Sequence, residues 1–161
     1  MTAVNDDALL LENQVCYALA LAARGVIGAY REVLTPLGLT HPQYLAMLAL
    51  WQHEPQTNRS LSDALRLDPG TVTPLLRRLE NLGYIRRARA QNDERTVEIH
   101  LTPEGRALRT RAEHIPSIMI RRLGLQDTDL HELNALLHRL VASAEHATDL
   151  TADELKALGS A

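Results

Sequence analysis

Apolar positions recur about every 3.6 residues along most of this chain, and every second residue in one short region. From Leu9 to Leu34, "LLLENQVCYALALAARGVIGAYREVL" places Cys16, Leu19, Ala20, Ala23, Ile27 and Tyr30 on one helical face, with Leu9 one heptad earlier. The spacing predicts one long helix that opens at Asn5 or Asp6, either of which can cap it, and ends near Leu34. "TPLGLTHPQ" then interrupts the pattern with two prolines and a glycine. "PQYLAMLALWQHE" predicts a second helix with Pro42 at its start, and "PQTNR" a polar loop. "SLSDALRL" reads as a short helix capped by Ser60, with Asp63 completing a capping box. In "PGTVTPLLRRLENLG", Val72, Leu75, Leu76, Leu79 and Leu82 form one apolar stripe. That helix starts between Asp68 and Thr71, because Pro74 belongs in or near the first turn, and Gly83 ends it as a C′ glycine.

The period then becomes 2. "YIRRARA" and "RTVEIHLT" predict two short strands around the turn "QNDE", the only β structure expected. Helical spacing returns in "TPEGRALRTRAEHI", with Thr102 as cap and Pro103 at the first helical position, until Pro116 bends or breaks it. "DTDLHELNALLHRLVASAEHA" carries Leu130, Leu133, Leu137 and Leu140 at heptad-like spacing, a seam that needs a partner. The tail from about Asp149 is expected to fray. This order predicts a mainly α fold: a winged helix-turn-helix over about 55–102, with a small β-hairpin wing. N- and C-terminal helices over 7–34 and 103–148 would serve dimerisation, all within a single 1–161 domain.

Composition supports one helical domain. The chain has 161 residues, 45% of them hydrophobic, yet no Phe and one Trp, so its core must be built from Leu, Val, Ile and Ala. No apolar run is long enough to span a bilayer, and the N-terminus does not read as a signal peptide. One cysteine makes no disulfide framework, which suits a reducing cytoplasm. The net charge is −3, but between Arg59 and Arg95 eight arginines face five acids. A basic face on an otherwise acidic protein is the footprint of a nucleic-acid binder.

Opposite the apolar stripe of the helix near Pro69 lie Gly70, Thr71, Thr73, Pro74, Arg77 and Arg78. Small and hydroxylated residues at a helix N-terminus permit close approach to a phosphate backbone, and arginines further along can reach phosphates or guanine edges. Arg86, Arg87, Arg89 and Arg95 load the hairpin with positive charge, as in a wing reaching the minor groove. A merely solvated basic face accounts for the charge but not for the capped short helix, the tight turn and the basic hairpin together. One such module is small, so a homodimer on two-fold double-stranded operator DNA is expected.

Cys16 alone reads as a small buried hydrophobe. A thiol reacts as its thiolate. Two turns or so into the predicted helix, the dipole would help little, and Glu12 would oppose a negative charge. Tyr30 is a candidate hydrogen-bond donor but lies 14 residues on, roughly 21 Å along a straight helix. It could reach Cys16 of a second subunit if the two first helices ran antiparallel.

The stretches "LLLENQVCYAL", "LTHPQYLAMLALW", "LRLDPGTVTPLLRRLENLGYIRRAR", "DERTVEIHLTPEGRAL" and "HIPSIM" together resemble the MarR family of winged-helix regulators. "LENQVC" with "LDPGTVTPLL" is similar to its OhrR-type organic-hydroperoxide sensors, here of the one-cysteine branch. The resemblance implies that Cys16 is the peroxidatic thiolate and Tyr30 its partner across the dimer. It further implies that Asp93 and Arg95 form a wing-tip pair presenting Arg95 to the minor groove. Where the family carries a tyrosine before Pro-Gln-Tyr, this chain has His41, a departure in the sensing site. The effectors implied are an organic hydroperoxide and a low-molecular-weight thiol, with no cofactor and no catalytic turnover. Alternatives are a regulator released by a small aromatic ligand, with Cys16 structural, and a one-cysteine thiol peroxidase, which lacks the expected βαβ pattern. A metal sensor is the third, but His131, His138 and His146 lack the i, i+4 spacing of a helical zinc site.

Overall fold

The computed structural model describes residues 6–91 and 93–159. Its backbone forms two compact units, 1–123 and 124–161.

In the first unit the predicted N-terminal helix is broken. Two 3-10 turns, Asp6–Leu9 and Leu11–Asn13, precede helix α1, which runs from Val15 to Leu34. The break is local chemistry. The Asn13 amide donates to the Asp7 carbonyl at 2.7 Å and the Gln14 amide to that of Ala8 at 2.6 Å, while Gln14 itself is extended. Such side-chain bonds offer the backbone an alternative to the helical ladder. Of the two proposed start positions, Asp6 lies in the first 3-10 turn and Asn5 falls outside the described residues.

Helix α2 spans His41–Gln52, with Thr40 as its N-cap and Pro42 in its first turn. The loop expected at "PQTNR" is ordered instead: Gln56–Thr57 form strand β1, and helix α3 runs Asn58–Leu65. Thr57, not Ser60, caps α3. Its hydroxyl accepts from the Ser60 N–H at 3.1 Å, and the Ser60 hydroxyl accepts from the Thr57 N–H at 2.9 Å. Ser60 is therefore the third helical residue, and Asp63 takes no part in the box.

Helix α4 covers Pro69–Asn81 with Asp68 as N-cap, so Pro74 sits in its second turn. Gly83, at φ +78°, closes it in a Schellman motif: Tyr84 N–H donates to Leu79 C=O and Gly83 N–H to Glu80 C=O. Strands β2 (Ile85–Ala90) and β3 (Asp93–Leu101) form the hairpin, and β1 adds to its far edge, giving an antiparallel sheet ordered β1-β3-β2. The two-strand hairpin of the sequence is thus a three-strand sheet. Pairs such as Ile85 with Leu101 and Arg87 with Ile99 set the register, and a bulge between Arg89 and Ala90 twists the tip.

Thr102 caps helix α5 (Pro103–Ala112), and Pro116 lies in the first turn of helix α6 (Ile115–Leu123), so the chain breaks where the proline requires. The core is aliphatic, as the composition dictates. Leu34, Met47, Leu50, Leu61, Leu76 and Leu79 are all but inaccessible, and α2 runs through their midst. Only the C-terminal part of α1 joins this core. Upstream, Val15, Leu19, Leu21 and Ile27 remain 36–64% exposed.

The second unit holds helix α7 (Asp127–Glu145) and helix α8 (Ala152–Ala157). None of α7 is buried, and Leu130, Leu133, Leu136, Leu140 and Val141 stand exposed along it. The tail is more regular than its weak pattern promised: Thr151 caps α8, its N–H and hydroxyl both donating to the Glu154 carboxylate at 2.7 Å. Among the described residues no helix is long and apolar enough to cross a membrane.

Candidate nucleic-acid interface and thiol site

Helices α3 and α4 meet through a turn in which Arg66 adopts the left-handed conformation at φ 53°. Asp68 then caps α4: one carboxylate oxygen accepts the Thr71 N–H at 2.9 Å and the other the Thr71 hydroxyl. These bonds, the hydroxyl foremost, hold the Asp68 carboxyl below the usual range. Gly70, Thr71, Pro74, Arg77 and Arg78 are all exposed on this helix. Thr73 differs. Half-buried, its hydroxyl donates to the Pro69 carbonyl and accepts from the Asn58 amide, both at 2.8 Å. That hydroxyl clamps α4 to α3. The sequence offered no sign of it, because Asn58 lies 15 residues away.

On the hairpin, Arg86 and Arg89 are exposed on opposite faces. Arg87 is turned back to α4, its Nε 3.4 Å from the Glu80 carboxylate, and so braces the wing against that helix. At the tip, Asp93 meets Arg95 through the backbone: its carboxylate accepts the Arg95 N–H at 2.9 Å and the Thr96 hydroxyl at 2.7 Å. The Thr96 hydroxyl and then the Arg95 N–H depress the Asp93 carboxyl. Arg95 is exposed. The root of the wing is anchored by Glu54, which accepts from the Leu101 N–H and the Arg106 guanidinium. Sheet, α3 and α4 thus form one reading head.

Because α1 begins at Val15, Cys16 is the second residue of that helix and not two turns or so into it. Its first turn holds no acid, and Glu12 belongs to a separate 3-10 turn. Cys16 is exposed, the reverse of the buried hydrophobe that its pattern alone suggested. A position among free N–H groups at a helix start is where a peptide chain favours an anion.

Tyr30, near the other end of α1, stands with its ring centroid 5.2 Å from that of His41, edge-on, and 5.9 Å from that of Tyr44. Desolvation lowers the His41 pKa, which favours a neutral imidazole, and raises that of the Tyr30 phenol. Tyr44, buried in the core, is pushed up to about 12 by desolvation and then by the neighbouring Tyr30. The unfolded chain therefore ionises Tyr44 first, near pH 10. Its contribution to stability is full below about pH 10 and is lost as the pH rises toward 12, about 2 kcal/mol in all. Tyr44→Phe should flatten this alkaline decline in melts run at successive pH values; an unchanged decline would place the titration elsewhere.

Beside His41 opens a cavity of about 400 Å³, lined by Ile27, Arg31, Thr35, Leu39, His41 and Pro42. Arg31 and this cavity escaped the sequence reading, since nothing local distinguishes an arginine over a pocket from one in solvent. Among the described residues no three His, Cys, Asp or Glu converge as metal ligands. His131 and His146 each bond a backbone carbonyl of α7 four residues back.

Comparison with known proteins bears on both regions. A profile of the MarR family matches residues 39–97. The organic hydroperoxide resistance transcriptional regulator of Bacillus subtilis is 40% identical over 135 residues, 84% of this chain and 92% of that protein. Crystal structures of AbfR bound to DNA, reduced and overoxidised, superpose with TM-scores of 0.72 and 0.70 at 33% and 34% identity. Each comparison covers 84% of this chain and 93% of that one; AbfR is from Staphylococcus epidermidis. With a capped helix-turn-helix, a basic three-strand wing and this degree of identity along most of its length, the chain belongs to the MarR family of winged helix-turn-helix regulators, DNA-binding transcription factors and not enzymes.

Proposed function

We propose that the protein is a cytoplasmic redox-responsive repressor whose homodimer leaves its palindromic operator when an organic hydroperoxide oxidises Cys16. The observation that carries this reading is the position of the thiol: exposed, in the first turn of α1, on the part of that helix where Val15, Leu19, Leu21 and Ile27 also stand exposed. Monomers rarely expose so much apolar surface, and a second copy covering α1 and α7 accounts for it. On one straight helix Tyr30 stands roughly 21 Å from Cys16, out of reach. Antiparallel α1 helices would bring Tyr30 of one subunit to Cys16 of the other, with His41 backing the tyrosine.

Arg77 and Arg78 enter the major groove from α4, and Arg86, Arg89 and Arg95 reach the flanking backbone and minor groove. Thr73 and Arg87 support this surface, and Asp93 shapes the tip that carries Arg95. The Cys16 thiolate attacks the terminal oxygen of the hydroperoxide. An S–O bond forms, the O–O bond breaks, and the leaving alkoxide takes up a proton as the alcohol. The sulfenic acid can condense with a small thiol, releasing water and leaving a mixed disulfide. Cys16 is the only cysteine, so no intrachain disulfide can form. Reduced, overoxidised and disulfide-containing structures of AbfR are in keeping with this chemistry.

Operator binding by wild type and Cys16→Ser, before and after equimolar organic hydroperoxide, tests the reading, with intact mass on each sample. Wild type should lose DNA as it gains oxygen or a thiol adduct, and Cys16→Ser should stay bound. Release of both would refute the thiol and direct attention to a small-molecule ligand.

A further inference from the structure

The first turn of α2 is a wall shared by two cavities. On one side Thr40, His41 and Pro42 line the 400 Å³ cavity next to Tyr30. On the other, Thr40, Pro42 and Gln43 face Thr71, Pro74 and Arg78 of the recognition helix across a groove of about 260 Å³. The same turn carries His41 against the Tyr30 ring. It is stiff for two reasons. Pro42 fixes one backbone dihedral. Gln43, a polar residue only 5% exposed, folds its side-chain oxygen back to accept the Thr40 N–H at 2.8 Å.

We propose that this capped turn is the element that passes a displacement of Tyr30 to the recognition helix, with Gln43 as its positioning residue. The inference rests on the redox reading above. When oxidation of Cys16 ends its contact with Tyr30 of the other subunit, Tyr30 moves and His41 moves with it. A turn locked by Gln43 transmits that movement to Thr71, Pro74 and Arg78. An unlocked turn frays and absorbs it. Packed, stiff elements can carry coupling between sites, and this turn borders both the Tyr30 ring and the groove that faces α4.

The test uses the full-length protein and an operator fragment selected by wild type from a random-sequence library, with cumene hydroperoxide as oxidant and intact mass to confirm stoichiometric oxidation. Wild type should weaken by about 100-fold on oxidation, and Gln43→Met, which keeps the volume and loses the acceptor, by about threefold or less from a similar reduced-state affinity. Gln43→Glu restores the acceptor and should restore release. A Gln43→Met protein that is oxidised and released like wild type overturns the proposal. A wild type that stays bound when oxidised removes the redox reading and the proposal together. Hydrogen exchange on wild type is independent of any variant's folding. On oxidation the Thr40 amide should stay protected while exchange over 71–78 changes; loss of the Thr40 protection would mean that the turn melts instead of moving.

Discussion

Gly105→Ala should destabilise the reading head by more than about 3 kcal/mol and lower the melting temperature by roughly 6–12 °C. A Cβ at this position would lie 2.0 Å from the Tyr84 carbonyl oxygen. Neither side can retreat cheaply. The Tyr84 N–H closes the Schellman motif, its carbonyl accepts the Thr102 N–H at 3.0 Å, and its hydroxyl donates to the Leu37 carbonyl at 3.0 Å. Gly105 donates its N–H to the Thr102 hydroxyl at 3.0 Å and accepts the Trp51 indole N–H at 2.9 Å. Thermal denaturation followed by Trp51 fluorescence and by circular dichroism reads the effect. A melting temperature within about 2 °C of wild type would show that α5 slides away from Tyr84 despite these bonds.

On the reading proposed above, Arg95→Ala should weaken operator binding by about 30-fold or more, because each dimer would lose two phosphate- or minor-groove contacts worth about 1–3 kcal/mol each. The slope of log affinity against log salt should shallow by about 2, one released counterion per subunit. Two neighbouring substitutions sharpen the test. Arg87→Ala, which removes a side chain already paired with Glu80, should change the salt slope little. Asp93→Ala unties the tip from the Arg95 N–H and the Thr96 hydroxyl, so affinity should fall through loss of order. Titrations over a range of salt concentrations separate the three. Equal slopes for wild type and Arg95→Ala would remove Arg95 from the interface.

Where the physics is local, the sequence announced it. Thr102 with Pro103, the apolar stripe of α4 and Gly83 in its αL position are all patterns whose causes lie within a few residues. The basic hairpin was equally legible, since alternation and charge both survive in a plain string of letters. The errors share a different cause. The helix expected from Asn5 or Asp6 to Leu34 has an unbroken apolar period, but the Asn13 and Gln14 side chains bond backward to the backbone and unwind its start. Periodicity does not register such competition. Strand β1 has two residues, too few to alternate, and exists only because β3 lies beside it. The candidate site divides in the same way. Arg77, Arg78 and Arg95 stand exposed as expected, whereas Thr73 and Arg87 are committed to Asn58 and Glu80. Gln43 could have been read: T-x-x-Q at a helix start is a capping-box signature.

The two-residue strand β1 has a larger effect than its length suggests. Its Thr57 caps α3 while its backbone pairs with Glu98 in the middle of the wing, so the start of the helix-turn-helix and the hairpin are sewn at one residue. Movement of either part therefore pulls on the other through Thr57. In the dimer proposed above, two such heads keep two adjustable quantities, the distance and the twist between them. On that reading such a protein would act as a pair of dividers: a signal that leaves every protein–DNA contact chemically intact could still end recognition by setting the points to a span that no longer matches the half-sites. Insertion of a single base pair at the operator centre would then mimic the effector.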